Sequence, residues 1–261
     1  MKHSRFITIL ILFIFSLLVL PNCSKKEPVR QHPGQLKKGT PEYYLNEGNY
    51  YLNAGSYSTA EKKFLMALQK NPDLVGAING MGIVYLHNRE FDKAAQNFRQ
   101  VIELNPNYYD AYNYLGVIFT ETGRYELAKE NFLIAANSDK YRTPENAFAN
   151  LSRLELSKDK LDSAMRYVDK GLERNKGFAP LYNIKGAIFE KKKEYKKALY
   201  YYEKALSLLT EDDVAYLINV GRVYALMGEK NKALDTLEKA LSKAYSPQLK
   251  QQIHEMIKAL D

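Results

Sequence analysis

The chain has 261 residues, of which 46% are hydrophobic, 26% charged and 12% aromatic, a balance typical of a folded globular protein rather than a disordered or collagen-like one. Its 38 Lys and Arg against 30 Asp and Glu give a formal net charge of +8. A single Cys excludes an intramolecular disulfide and a Cys-based zinc site, and no two of the four His stand at a metal-ligand spacing. The composition therefore argues against zinc hydrolases, disulfide scaffolds and thiol redox enzymes, and we expect neither a metal nor a cofactor.

The first 22 residues have the pattern of an export signal. Lys2 and Arg5 precede an apolar segment, Phe6–Leu20. This segment is shorter than the roughly 20 apolar residues that a helix needs to cross the hydrocarbon core of a membrane. Its length is typical of the apolar region of a signal peptide. Cys23, the only Cys in the chain, follows shortly after it.

The position of Cys23 resembles the signal of bacterial lipoproteins, in which an aliphatic residue stands three positions before the modified Cys. Leu20 fits this pattern, whereas Pro21 and Asn22 depart from it. The resemblance implies cleavage after residue 22 and lipid attachment to Cys23, and several acyl chains on one residue anchor a protein stably. Two alternatives stay open: an uncleaved inner-membrane anchor, and a secretory signal with an incidental Cys. Ser24 favours the outer membrane, because an Asp after the Cys retains some lipoproteins in the inner membrane.

Residues 23–40 predict a flexible basic tether. They hold five Lys or Arg and one Glu, and Pro28, Pro33, Gly34 and Gly39 interrupt them without any apolar periodicity. The charge suits a position beside anionic lipid headgroups. It is equally typical of a solvated linker that is simply rich in Lys.

The rest of the chain repeats at intervals of 34 to 36 residues. An Ala recurs at Ala60, Ala94, Ala128, Ala164, Ala198 and Ala233. Twelve positions before each stands a small residue: Gly48, Gly82, Gly116, Ser152, Gly186 and Gly221. Apolar residues at steps of three and four place one stripe on each of two helices, which predicts a helical hairpin that crosses at the small residue. One hairpin cannot bury its stripe alone, so stacked neighbours must complete the core.

This pattern resembles the tetratricopeptide repeat family, which has small residues at positions 8, 20 and 27, aromatic residues at 11, 17 and 24, and Pro near 32. Six repeats fit it, over residues 41–74, 75–108, 109–142, 145–178, 179–212 and 214–247. The resemblance implies an all-α fold, a right-handed α-solenoid of six hairpins over residues 41–247 with a capping helix at 248–261. The fourth repeat departs most, with Ser152 at position 8 and Glu155 at position 11, and we expect it to be the least stable.

The sequence offers no catalytic constellation. It contains no phosphate-binding loop, no dinucleotide-binding glycine motif and no nucleophile elbow. The lone thiol belongs to the lipid signal, and the His residues stand apart. We therefore expect a protein that is not an enzyme, has no catalytic residue and takes no small-molecule substrate.

The family resemblance implies a concave groove lined by positions 2, 5, 9 and 12 of the first helices. The candidate groove-binding residues are Leu45, Asn49, Asn79, Ile83, Asn113, Val117, Arg153, Asn183 and Arg222. Asn recurs at position 5, and an amide can both donate to and accept from the backbone of an extended peptide; a solvated face that merely tolerates Asn is the alternative. The family's carboxylate clamp for chaperone C-termini needs Lys at position 5 of the first repeat, where this chain has Leu45. A run of Lys at residues 191–197 predicts a solvated face more readily than a binding patch.

The layout of signal, tether and six repeats is similar to the pilotin lipoproteins of type IV pili and to lipoprotein adaptors of cell-wall hydrolases. It implies a lipid-anchored envelope scaffold whose partner is a segment of an envelope protein. Nucleic acid is not expected, because export removes the protein from the cytoplasm. One alternative is an adaptor or subunit of a peptidoglycan-processing enzyme complex. Another is a self-assembling protein whose groove takes the tether of a second copy.

Overall fold

The structure is a computed structural model that describes residues 37–260 of the chain. Within that range it contains thirteen α-helices and no strand, so the fold is all-α. Cys23, the signal at residues 1–22 and most of the tether lie outside the described residues. Among residues 37–260, no helix combines the length and apolar character needed to cross a membrane.

Twelve of the helices in the described range form six successive hairpins, and a thirteenth follows them. The first helices of the hairpins are α1 (Pro41–Asn53), α3 (Val75–His87), α5 (Tyr109–Glu121), α7 (Pro144–Ser157), α9 (Ala179–Lys191) and α11 (Val214–Leu226). The second helices are α2 (Tyr57–Lys70), α4 (Phe91–Leu104), α6 (Tyr125–Ala136), α8 (Leu161–Arg174), α10 (Tyr195–Ser207) and α12 (Lys230–Lys243). The last helix is α13 (Pro247–Lys258). This succession of stacked hairpins is a helical solenoid fold.

The chain divides into two compact units. The N-terminal unit ends at Ala147 and the C-terminal unit begins at Phe148, so the boundary falls inside α7. The N-terminal unit contains the first three hairpins, and the C-terminal unit contains most of the fourth hairpin, the last two and α13.

Short-range hydrogen bonds define where the helices begin. The Thr40 side chain accepts from the backbone N–H of Tyr43, and the Ser246 side chain accepts from that of Leu249, at 3.2 Å in each case. Both caps precede a Pro at the first helical position, where its missing N–H and fixed φ are tolerated. Between hairpins, the side-chain oxygen of an Asn repeatedly bonds the backbone N–H two residues on, at Asn71, Asn105 and Asn175.

The helices of a hairpin cross at the small residue that marks each repeat. A Cβ built on Gly48 would lie 2.5 Å from the Phe64 ring, and one built on Gly80, in the next hairpin, would overlap the same ring. The Phe64 ring, which projects from α2, is therefore wedged between α1 and α3. Ser152 replaces Gly in the fourth repeat, where its hydroxyl donates to the Ala164 carbonyl at 3.1 Å. This crossing therefore accommodates a β-carbon and satisfies the hydroxyl.

The turn inside each hairpin requires a left-handed backbone. Gly55, Gly123 and Gly228 supply it at φ of +71°, +73° and +78°. The other three hairpins place charged residues there, namely Arg89, Asp159 and Lys193 at φ of 61°, 58° and 60°. A residue with a Cβ is strained in this left-handed backbone conformation.

Small, branched and aromatic side chains fill the core of each unit. In the N-terminal unit, Ala60, Phe64, Ala77 and Val84 are fully enclosed. In the C-terminal unit, α13 covers the end of the last hairpin with Ile253 and Met256, which pack in one cluster with the following buried residues: Leu217, Ile218, Leu237, Ala240 and Ala244.

Candidate functional site

The candidate site is the first-helix face, which we define separately in each unit as the surface formed by positions 2, 5, 9 and 12 of its first helices. In the N-terminal unit, α1 and α3 meet along it. The Leu45 side chain of α1 packs against Gly76 of α3, where a Cβ would lie 3.0 Å from the nearest Leu45 methyl. Leu45 and Ile83 stay partly exposed, and Asn49 is exposed. This part of the face combines apolar surface with an accessible amide.

The other candidate residues of the N-terminal unit are largely enclosed. Asn113 and Val117, both on α5, are 1% exposed. Asn79 is 9% exposed, and its side-chain oxygen has no hydrogen-bond partner within residues 37–260. The candidate residues that this unit leaves accessible therefore lie on α1 and α3, whereas the two candidates on α5 are enclosed.

In the C-terminal unit, polar side chains of α9 and α11 are bonded to one another across the face. The Asn219 amide donates to the Asn183 side-chain oxygen at 2.9 Å. The Arg222 guanidinium donates to the Asn219 side-chain oxygen at 2.9 Å and to Glu190 at 2.8 Å. These contacts hold Asn183 and Arg222 in fixed positions. We call this set the amide–guanidinium row.

The ion pair of the row lies inside the protein. The Arg222 and Glu190 side chains are only 6% and 11% exposed. The Tyr202 hydroxyl donates to the same Glu190 oxygen at 2.7 Å, and burial together with Glu190 raises the pKa of Tyr202 well above its usual value. Burial opposes the charge on Arg222, but Glu190 and Tyr202 outweigh it, so the pKa of Arg222 is raised. The guanidinium therefore stays charged.

Arg153, at the matching position of α7, has a different environment. Its guanidinium donates to the Asn150 side-chain oxygen at 3.1 Å. Among the described residues, no carboxylate lies within ion-pair distance of it. The side chain is partly buried, and burial lowers the pKa of Arg153 to about 10.

The Lys run at the turn of the fifth hairpin is largely neutralised. Lys191 pairs with Asp159 at 2.8 Å, Lys192 pairs with Asp162 at 3.3 Å, and Lys197 pairs with Glu194 at 2.6 Å. The first two pairs tie the fifth hairpin to the fourth, and the third lies within the fifth hairpin, as a solvated face would have it.

Sequence reasoning identified Asn183 and Arg222, and Glu190 falls at position 12 of its repeat, but Asn219 was missed. Asn219 stands one position later in its repeat than Asn183 does, so a search at position 5 passes over it. The signal that identifies it is its three-residue spacing from Arg222, which places both on one face of α11. In the described part of the chain, no three His, Cys, Asp or Glu side chains come together as a metal site would require.

Family models described as tetratricopeptide repeat match residues 79–141 and 178–245, together about half of the chain. The chain belongs to the tetratricopeptide repeat family. Proteins of this family are typically scaffolds for protein–protein interaction rather than catalysts. A search of curated proteins gave no match.

Several solved structures share the tetratricopeptide repeat fold of this chain. PilW, described as a widely conserved type IV pilus biogenesis factor, is 19% identical with a TM-score of 0.68, over 81% of this chain and 97% of PilW. PilF of Pseudomonas aeruginosa is 20% identical with a TM-score of 0.66, over 82% of this chain and 96% of PilF. Human IFIT1, solved with m7Gppp-AAAA, is 17% identical with a TM-score of 0.66, over 83% of this chain and 53% of IFIT1. At these identities the similarity shows the fold alone.

Proposed function

We propose that this protein is a lipid-anchored scaffold of the bacterial cell envelope, attached to the outer membrane through Cys23. Its first-helix face binds an extended segment of a partner protein and so assists the assembly of a membrane or cell-wall complex. The export pattern of residues 1–22 supports the location. The similarity of its fold to PilW, described as a type IV pilus biogenesis factor, supports pilus assembly as the setting.

The Asn183 amide is the observation that carries the proposal. Its oxygen accepts from Asn219, so its NH₂ group is oriented and remains available to donate within the described structure. The residue is partly exposed. A backbone carbonyl of an extended segment is a natural acceptor for such a group. Because Asn219 already fixes the Asn183 side chain, binding costs less conformational entropy than it would with a freely rotating side chain.

Photo-crosslinking in intact cells tests the proposal. A photoreactive residue is placed at Ala187 or at Ile83, which are both partly exposed at position 9 of their repeats, so that Asn183 itself is kept. Matched control positions are Tyr200 and Leu65, which lie on second helices and are 62% and 44% exposed. We expect one protein adduct from the face positions that is absent from the controls. Equal adducts at all four positions, or none at the face, would contradict binding at this surface.

The identity of the adduct decides between the classes of complex. Mass spectrometry that finds a subunit of a pilus pore supports the pilus assignment. A cell-wall hydrolase indicates instead the adaptor of a peptidoglycan-processing complex. Recovery of this chain alone indicates self-assembly, and a nucleic-acid adduct overturns the protein-scaffold assignment. Fractionation of a Cys23→Ala variant tests the anchor separately, since an unchanged membrane-bound fraction contradicts lipidation.

A further inference from the structure

Arg153 and Arg222 occupy the same position of their repeats but differ in their partners. Arg222 has Glu190 at 2.8 Å and Asn219 at 2.9 Å. Among residues 37–260, the hydrogen-bond partner of Arg153 is the neutral side-chain oxygen of Asn150, at 3.1 Å, and the titratable group that interacts with it is the Tyr216 phenol. The fourth repeat therefore places on the first-helix face a guanidinium that its own described surroundings do not neutralise.

A guanidinium in this state favours an anionic ligand. A cation that is partly removed from water is unfavourable unless an opposite charge or further hydrogen bonds compensate it. The Asn150 oxygen engages one of the five N–H groups of Arg153. The remaining donors include pairs that match the two oxygens of a carboxylate.

We propose that Arg153 binds a carboxylate of the partner segment, and that the segment is therefore acidic at one fixed position. This inference rests on the proposed function, because it specifies the chemistry of the segment that the first-helix face binds. The contact between Arg222 and Glu190 shows that a guanidinium at this repeat position reaches a carboxylate at hydrogen-bond distance. The carboxylate is either an Asp or Glu side chain or the C-terminus of the segment.

Peptide selection on the mature full-length protein in detergent micelles tests the inference. Two random peptide libraries serve as the probe: one has its C-terminus fused to the display protein, and the other has a free C-terminus. The proteins compared are the natural chain, Arg153→Gln and a matched control, Arg166→Gln, which removes an exposed Arg from α8 of the same hairpin. We expect the natural chain and Arg166→Gln to enrich an acidic residue at one position, and Arg153→Gln to lose that enrichment. Enrichment in the library with the fused C-terminus shows that Arg153 binds an Asp or Glu side chain. Enrichment found only in the library with the free C-terminus shows that it binds the terminal carboxylate.

Affinities of the selected peptides make the test quantitative. Replacing the peptide's acid by its amide should weaken binding to the natural chain by about tenfold or more, since a hydrogen bond to a charged group is lost. The same replacement should change binding to Arg153→Gln by less than about threefold. Arg153→Lys keeps the charge without the paired donors, so the same replacement should weaken binding to it by an intermediate factor. The melting temperature of Arg153→Gln should not fall, which excludes loss of folding as the cause.

The failures of the two proposals are distinguishable. The role of Arg153 is overturned, and the binding face left intact, in either of two cases. The selected peptides lack an acidic residue, or replacing their acid weakens binding equally to the natural chain and to Arg153→Gln. Libraries from which no peptide is selected overturn the binding face, and the inference about Arg153 with it.

Discussion

The buried ion pair between Arg222 and Glu190 lends itself to a stringent test. Replacing Arg222 by Met leaves the Glu190 carboxylate, which is 11% exposed, with the Tyr202 hydroxyl as its hydrogen-bond donor at 2.7 Å. Removing one partner of a buried pair costs about 3–5 kcal/mol, because the remaining charge stays buried without compensation. We expect the free energy of unfolding of Arg222→Met to fall by that amount. Urea titration followed by circular dichroism measures it.

A second substitution separates the charge from the packing. Glu190→Gln removes the opposite charge, and the variant that carries both substitutions buries no charge at this place. Replacing a buried pair by neutral groups of similar volume is often close to neutral. The double variant should therefore be more stable than the sum of the two single effects predicts, by about 1–3 kcal/mol. Hydrogen exchange of α9 and α11 shows whether the loss is local, as expected where each hairpin contacts only its neighbours.

A matched control in the same unit calibrates the result. Lys185 pairs with Asp169 at 2.9 Å, but Asp169 is 54% exposed. Lys185→Met should cost less than about 1 kcal/mol, because water already solvates an exposed pair. The reasoning is refuted if Arg222→Met costs no more than Lys185→Met, or if the effects of the two substitutions in the buried pair simply add.

Three further predictions concern backbone strain, helix crossing and pH. Lys193→Gly relieves a left-handed backbone at φ 60° and should raise the free energy of unfolding by about 0.5–1 kcal/mol, measured by urea titration. Gly186→Ala places a methyl 2.6 Å from the Tyr202 ring and should lower that free energy by about 1–3 kcal/mol, visible as a lower melting temperature. Burial raises the pKa of Tyr216 to about 12, above the value of about 10 for an unfolded chain. The stability that the protonated Tyr216 phenol gives the folded state is therefore complete below pH 10 and is lost as the pH rises through 12. Tyr216→Phe should therefore flatten the alkaline loss of stability, measured by urea titrations across that pH range.

The hairpins were predictable because their determinants are local. A small residue at position 8 and an Ala twelve residues later mark a close helix crossing, and this spacing needs no knowledge of the neighbouring repeats. Ser152 shows the limit of the rule. Its presence at the crossing suggested a weak fourth repeat, but its hydroxyl bonds the Ala164 carbonyl at 3.1 Å. Whether the fourth repeat is the least stable stays a prediction.

The chemistry of the first-helix face was less predictable, because it depends on how neighbouring hairpins are aligned. Asn183 and Asn219 meet although they occupy different positions of their repeats. Val117, a candidate for apolar contact with a ligand, is enclosed at 1% exposure. Repeat position alone does not determine burial, since the packing of the adjacent hairpins also decides it.

The wedged Phe64 ring has a consequence for how the N-terminal unit comes apart. Modules that touch only their neighbours can in principle melt one at a time. Here one ring fills the crossing at Gly48 and also contacts Gly80 in the following module. Opening the first module would uncover part of the second, so we expect the two to unfold in one cooperative transition and the loss of the Phe64 ring to destabilise both.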